Sequence, residues 1–297
     1  MNTTELAEII EQEKALVTKF TGARLEQIEL VDESWHVRAY IVDGGKKVFK
    51  FPKKPETRFE NEIKVLECLN TINADVNLQK VGWTNENNAY IGFYGVEGTR
   101  LDKITLNDES MYSVSTQLGA FLKKMHGAEC KDVYKSTLKW EIAEWQKSCD
   151  VELFKNWFTD TEISQIEYLI KDYVPKTLER LGEKLVFSHG DLWEQNIIVD
   201  DSGKVGVIDF NTSGYMEEAI DFMGMNEQGI TAIMLDAYGA DKTLREKVKT
   251  RMLIEYVTNI KINYEAGNHE KIKTFVNIAK KRLKNMEVNN EKNSINR

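Results

Sequence analysis

The spacing of apolar residues changes twice along the chain. Leu6, Ile9, Ile10, Leu16, Val17 and Phe20 recur at helical intervals behind the capping pair Thr3-Thr4, and Gly22 closes that segment. Beyond it the period shortens. Residues 25–31, 36–42 and 46–51 read as strands, with Gly44-Gly45 as a tight turn and Pro52 ending the last ladder. Phe59, Ile63, Leu66 and Leu69 mark an amphipathic helix, and strands follow near 78–83 and 89–95. Gly95 and Gly98 then punctuate the chain. Downstream the pattern is mostly helical. Met111, Val114, Leu118, Phe121, Leu122 and Met125 form one apolar stripe; Ile163, Ile166, Leu169, Ile170 and Tyr173 form another, and both read as core. A β-rich island interrupts the helices at 185–187, 197–199 and 205–208, with an Asp201-Ser202-Gly203 turn. After 216 the pattern is helical to about 286. The chain therefore predicts an α+β protein in two parts: a small antiparallel-sheet part over 1–95 and a mostly helical part over 96–297, hinged at about 93–98.

Composition narrows the class. With 41 % hydrophobic and 30 % charged residues, the chain is an ordinary globular protein. Its formal charge of -8 speaks against a nucleic-acid binder and is compatible with cationic small substrates. The three cysteines, Cys68, Cys130 and Cys149, are widely spaced and lack zinc spacing, so they read as thiols of a reducing compartment. The polar, acidic start is not a signal peptide, and no apolar run is long enough to span a bilayer. A cytoplasmic location and no membrane partner are the expectation; the sequence does not define an oligomeric state.

The island carries the chemistry. It contains His189-Gly190-Asp191-Leu192-Trp193-Glu194-Gln195-Asn196 and, thirteen positions past that Asn, Asp209 in Ile208-Asp209-Phe210. Phosphoryl transfer from a nucleotide needs such a set: a carboxylate to orient the nucleophile's proton, and two oxygen ligands for magnesium. Gly190 lets the backbone turn tightly before Asp191. Asp209 ends an apolar strand, where an unpaired carboxylate would cost several kcal/mol, and a metal would supply the partner. Lys50 stands inside the apolar strand Val48–Phe51 and also needs a carboxylate or a phosphate. Glu62, on the next helix, could be its partner, and so could Glu60.

Lys50 with Glu62, His189-Gly190-Asp191 to Asn196, and Ile208-Asp209-Phe210 to Asp221-Phe222 together resemble the aminoglycoside phosphotransferase and choline kinase family. Gly92 to Gly98 resembles its hinge and Leu118 to His126 its first large-lobe helix. The resemblance covers roughly residues 25 to 270; Tyr264-Glu265-Ala266-Gly267 is similar to the 2''-aminoglycoside branch. It implies the bilobal protein-kinase-like fold and an alcohol phosphotransferase using ATP or GTP with Mg2+. Asp191 would accept the substrate hydroxyl's proton. Asn196 and Asp209 would hold the metal, Lys50 would touch the phosphates with Glu62 steering it, and His189 and Asp221 would brace the catalytic loop. The base would meet backbone near Tyr94 to Val96. Gly190 stands where protein kinases carry Arg, and only twelve positions separate Asp209 from Asp221. That interval has no room for a peptide platform, so a small hydroxyl-bearing substrate fits better.

Three places depart from the family pattern. The expected phosphate loop, Val31-Asp32-Glu33-Ser34-Trp35-His36, has no glycine, leaving Ser34 to supply a hydroxyl and an N–H. Asn211-Thr212 stands where relatives often have Gly-Asp or Glu-Asp, and Glu217-Glu218 stands where Asp-Pro is usual. For a cationic acceptor, Glu227, Glu255 and Glu265 are candidate carboxylates. Trp193 is either a packing residue or a platform for a sugar ring or cation. The expectation is a kinase of an aminoglycoside-like substrate. The alternatives are a metabolic kinase of choline, homoserine, methylthioribose or a sugar, and a catalytically inactive binding module.

Overall fold

The computed structural model describes residues 3–31, 36–54, 57–87, 89–225 and 229–295. Its elements run α1 (Thr3–Thr21), β1 (Ile28–Val31), β2 (Val37–Val42), β3 (Lys47–Pro52), α2 (Glu60–Leu69), β4 (Asn77–Leu78), β5 (Lys80–Thr84), β6 (Ile91–Tyr94), β7 (Thr99–Arg100) and α3 (Asp108–His126). They continue with β8 (Tyr134–Lys135), α4 (Leu138–Ser148), α5 (Val151–Phe154), α6 (Asp160–Tyr168), α7 (Val174–Leu181), β9 (Leu185–Ser188), β10 (Ile197–Val199), β11 (Val205–Val207) and β12 (Gly214–Glu217). The last four are α8 (Ile230–Tyr238), α9 (Lys242–Arg251), α10 (Glu255–Glu265) and α11 (His269–Ile295). The chain divides into two compact units. One holds residues 1–134, 187–214 and 224–238; the other holds 135–186, 215–223 and 239–297.

The first unit is built on an antiparallel sheet in the order β1-β2-β3-β6-β5. Alternation along β3 sends Phe49 and Phe51 into one core with Val17, Ile28, Tyr40 and Val42, and Phe20 of α1 stacks on Phe49. α1 is tied down by more than apolar contact. Its buried Glu13 takes two hydrogen bonds from Arg38, at 2.6 and 2.8 Å, and a third from Tyr40. A second, smaller sheet runs β4-β11-β10-β7. The single strand expected near 78–83 is therefore two. β4 pairs in parallel with β11, β5 joins the large sheet, and the break between them falls at Gln79, whose buried side chain is used elsewhere.

Gly95 and Gly98 are demanded by packing. A Cβ on Gly95 would fall 1.7 Å from the Gly45 carbonyl oxygen; one on Gly98, whose φ is +132°, would fall 2.5 Å from that of Val199.

The second unit packs helices around Phe154, Ile163, Ile166, Leu169, Ile170, Leu178, Val257 and Ile260. The stripe expected from 163 to 173 holds except at its end: Tyr173 is 40 % exposed. Residues Leu169–Tyr173 form a π-helical turn ahead of Pro175. Proline cannot donate to the preceding turn, and widening that turn slips the helical phase and turns Tyr173 outward. The helical pattern expected after 216 begins later, because β12 and a 3-10 turn at Ile220–Phe222 come before α8. No helix among the described residues is long and apolar enough to cross a membrane.

Candidate active site

The charged residues singled out in the first unit come together. Lys50 lies mid-strand in β3, in register with Ala39 of β2 and Ile91 of β6, on the face opposite Phe49 and Phe51. Its Nζ donates to Glu62 Oε1 at 2.7 Å and to Asp209 Oδ1 at 2.9 Å, and lies 5.3 Å from the Phe93 ring centroid. Burial favours the neutral amine, but the two carboxylates outweigh it and hold Lys50 above the ordinary lysine range as a fixed ammonium. Glu62 is fully buried, whereas Glu60 faces solvent, which decides between the two partners left open by the sequence. Burial pushes the Glu62 carboxyl up and the Lys50 charge opposes it.

Asp209 follows β11 in a left-handed conformation, φ 66°, which costs a non-glycine residue roughly 1 kcal/mol. The strained turn is held by its surroundings. Gln79 Oε1 accepts the Asp209 N–H at 3.1 Å, and Asn61 Nδ2 donates to the carbonyls of Asn211 at 3.3 Å and Ser213 at 2.8 Å. Burial alone would raise the Asp209 carboxyl, but Lys50 reverses the sign and keeps it below the ordinary carboxylate range. Even so, 42 % of its side-chain surface stays open.

The 189–196 loop is locked to this turn by His189. Its Nδ1 accepts the Asp191 N–H at 3.3 Å, so Nε2 carries the proton and donates to the Ile208 carbonyl at 3.0 Å. The ring is a strut between the two loops. Ser213 Oγ donates to the His189 carbonyl at 2.8 Å. Gly190, at φ 81°, turns the chain so that Asp191 leaves the strand end. Asn196 Nδ2 then donates to the Asp191 carbonyl at 2.8 Å and to its Oδ2 at 3.2 Å. The Asp191 carboxyl is raised by burial, with the Asp209 charge adding to the effect; hydrogen bonds from Asn196 and the Trp193 side chain pull it back. Trp193 thus acts as a donor toward Asp191. Its ring is seated by Gly224, where a Cβ would lie 2.4 Å from the Leu192 carbonyl oxygen and 3.0 Å from the indole.

This donor set fits magnesium. Asp209 and Glu62 share the Lys50 ammonium, and Asp191 stands close enough to feel the Asp209 charge, which leaves negative charge uncompensated. The Asn196 amide nitrogen is spent on Asp191, which frees Oδ1 as a neutral oxygen ligand, and Asp209 keeps an open carboxylate oxygen. Among the described residues, no group of three or more His, Cys, Asp or Glu forms a complete cage. An open pair of oxygen ligands is what Mg2+ uses when phosphate oxygens and waters complete its shell.

The other expected site residues are placed as follows. Tyr94 ends β6 between β3 and β5, and the Gly95 N–H donates to the Lys46 carbonyl at 2.9 Å. Tyr94, Val96 and Glu97 line an open groove of about 760 Å³ with Asp75, Lys80 and Lys204. In the second unit, Asp221 is buried in its 3-10 turn, Glu255 is half-buried and accepts from Asn259, and Glu265 is exposed at the end of α10. Ser34 and Glu227 lie outside the described residues. Sequence reasoning missed Gln79, Asn61 and Ser213. Their only signal was polarity, and what they bond lies 24 to 152 positions away.

Residues 27–249 match the phosphotransferase enzyme family, APH, and the chain belongs to that family. It is an enzyme of the class that transfers phosphoryl groups to hydroxyls. Solved structures agree on the fold. The GDP and kanamycin complex of APH(2")-IIia superposes with a TM-score of 0.75 at 19 % identity, covering 93 % of this chain and 99 % of that one. ADP-bound aminoglycoside phosphotransferase APH(2'')-Ib gives 0.66 at 15 %, over 93 % and 98 %. Macrolide 2'-phosphotransferase MphH from Brachybacterium faecium, as apoenzyme, gives 0.60 at 14 %, over 86 % and 92 %. At these identities the likeness establishes the kinase-like fold.

Proposed function

We propose that the protein transfers the γ-phosphoryl group of ATP or GTP, with Mg2+, to a hydroxyl of an aminoglycoside-like substrate. The observation that carries this reading is the joint placement of Asp191, Asn196, Asp209, Lys50 and Glu62 in one cluster. In it, Asp191 takes the hydroxyl's proton, a task suited by a carboxyl whose proton affinity burial has raised. Lys50, fixed by Glu62, meets the phosphates, and Asn196 and Asp209 hold the metal. Tyr94 and Val96 offer backbone to the base, with 93–98 as hinge between parts 1–95 and 96–297. His189 and Asp221 brace the loop, and Ser34 completes the phosphate contacts. The negative chain charge, with Glu227, Glu255 and Glu265, suits a polycationic acceptor. The bound ligands named for the similar structures, GDP, ADP and kanamycin, support the same reading, which includes a cytoplasmic location as part of the proposal.

The test is direct. Purified protein with Mg2+ and each nucleotide is offered aminoglycosides, macrolides, choline, homoserine, methylthioribose and simple sugars, and products are weighed for one added phosphoryl group. Phosphorylated aminoglycoside from the wild type, and none from Asp191→Ala, is the expected result. Turnover confined to choline, homoserine or a sugar would move the protein to metabolism. Nucleotide binding with no acceptor turned over would make it a binding module.

A further inference from the structure

Two of the three free cysteines meet where α2, the helix that holds Glu62 and Cys68, packs against the segment carrying Cys130. Cys68 Sγ donates to the Glu129 carbonyl at 3.4 Å, and Cys130 Sγ donates to the Lys64 carbonyl at 3.9 Å. Each thiol thus reaches the backbone beside its counterpart, and the two sulfurs are within hydrogen-bonding reach of one another. The contact belongs to a longer seam. Asn61, Lys64 and Cys68 occupy one face of α2 at intervals of three and four. Asn61 Oδ1 accepts the Tyr134 N–H at 2.8 Å, and Lys64 Nζ donates to the Asp132 carbonyl at 3.2 Å. The segment 129–134 is therefore a strap along α2, and Asn61 extends the seam to the Asn211 and Ser213 carbonyls behind Asp209.

We propose that Cys68 and Cys130 form a redox-modifiable dithiol whose disulfide locks α2 where Glu62 meets Lys50. Cys68 is half-buried and reachable; Cys130 is buried. A peroxide oxidises the Cys68 thiol by two electrons to a sulfenic acid and is itself reduced to water or an alcohol. The Cys130 sulfur then attacks that sulfur. The S–S bond forms, the S–O bond breaks, and the hydroxyl leaves with the Cys130 proton as water. Cys68 is the thiol a peroxide can reach, whereas Cys130 is buried and its thiol pushed up, so Cys68 is the sensing sulfur and Cys130 the resolving one. The thiols already meet in the conformation that has Lys50 and Glu62 2.7 Å apart, so oxidation holds the engaged geometry instead of breaking it.

The experiment treats wild-type protein, Cys68→Ser and Cys130→Ser with hydrogen peroxide. Peptides are mapped without reduction and melting is followed before and after a thiol reductant. The expected wild-type result is a linked Cys68–Cys130 peptide two hydrogens lighter than its parts, absent from both variants. Its melting temperature rises by about 5 °C, reversibly, because the bond closes a long loop. A Cys68 sulfenic acid captured by a sulfenate-specific probe, without the linked peptide, overturns the site. A linked peptide with no rise in melting temperature overturns the lock. The proposal rests on the reading of Lys50 and Glu62 for its consequence alone. Neither measurement needs turnover, so a failed kinase assay leaves both results interpretable.

Discussion

Two buried charge clusters in this protein use the same residue types and do opposite things. In the first unit, Lys50 faces Glu62 and Asp209, with Asp191 close enough to feel the Asp209 charge. In the second, Lys247 and Arg251, one turn apart on α9, face Glu217, Glu218 and Glu141 at 2.7–3.1 Å, and Lys184 closes on Glu218 from the surface. Three carboxylates there meet three cations, and the side chains of Glu141, Glu217, Glu218, Lys247 and Arg251 are all 7 % exposed or less. The α9 cluster is closely matched in charge and, Lys184 apart, buried. The Lys50 cluster is electron-rich and open at Asp209. Charge that is balanced inside the fold can only hold the fold; charge left unbalanced at a surface is available to a cation or a proton. The contrast also explains Glu217-Glu218, which departs from the family pattern: the two glutamates are anchors for α9.

The sharpest way to break this comparison is Asp191→Ala. It should lower kcat by about 10³-fold, within the 10²–10⁴ range of general base catalysis, and leave the melting temperature nearly unchanged. A folded variant at wild-type rate would put Asp191 among the scaffolding residues. The converse change, Arg251→Met, should destabilise by about 3–5 kcal/mol in denaturant titration, because it leaves Glu141 buried without its cation and leaves Glu217 with Lys247 alone. Its turnover, measured below the melting transition, should match the wild type; a kcat defect there would erase the distinction between the clusters.

Glu62→Gln is intermediate, since it keeps the shape but removes one of the two charges fixing Lys50. A loss of roughly 10–100-fold in kcat/KM for nucleotide is expected, smaller than for Asp191→Ala because Asp209 still holds the ammonium. A smaller effect should appear in the pH profile. Asp191 must be ionised to accept a proton, so kcat falls as pH drops through its raised pKa, above the ordinary 3.8. Trp193→Phe removes a donor that favours the ionised form, which should move that acid limb to higher pH by less than about one unit. An acid limb that moved to lower pH would mean that the indole favours the protonated form. The smallest effect belongs to exposed pairs such as Lys147–Glu144, where Lys147→Ala should change stability by no more than about 0.5 kcal/mol.

Local order was legible because it is written at short range. The period of 3.6 gives α1 and α3, and alternation gives β2 and β3. A lysine amid Val48, Phe49 and Phe51, or an aspartate closing Val205 to Ile208, signals a partner because burial without one is costly. By itself, then, the sequence determined the element types, the chemistry-bearing residues, and the requirement that Lys50 and Asp209 each find a counter-charge. Only the tertiary structure decided which one. Lys50 found Glu62 over Glu60, and Asp209 in addition, 159 positions away. Tertiary contact also set His189 between the two loops, placed Gln79 under the strained Asp209 turn, turned Trp193 toward Asp191, and buried Glu217 and Glu218 against α9. The reason is common to all of these. A side chain's need for a partner is a property of its own chemistry and its immediate neighbours. The identity of that partner depends on which distant backbone the packed core brings within about 3 Å.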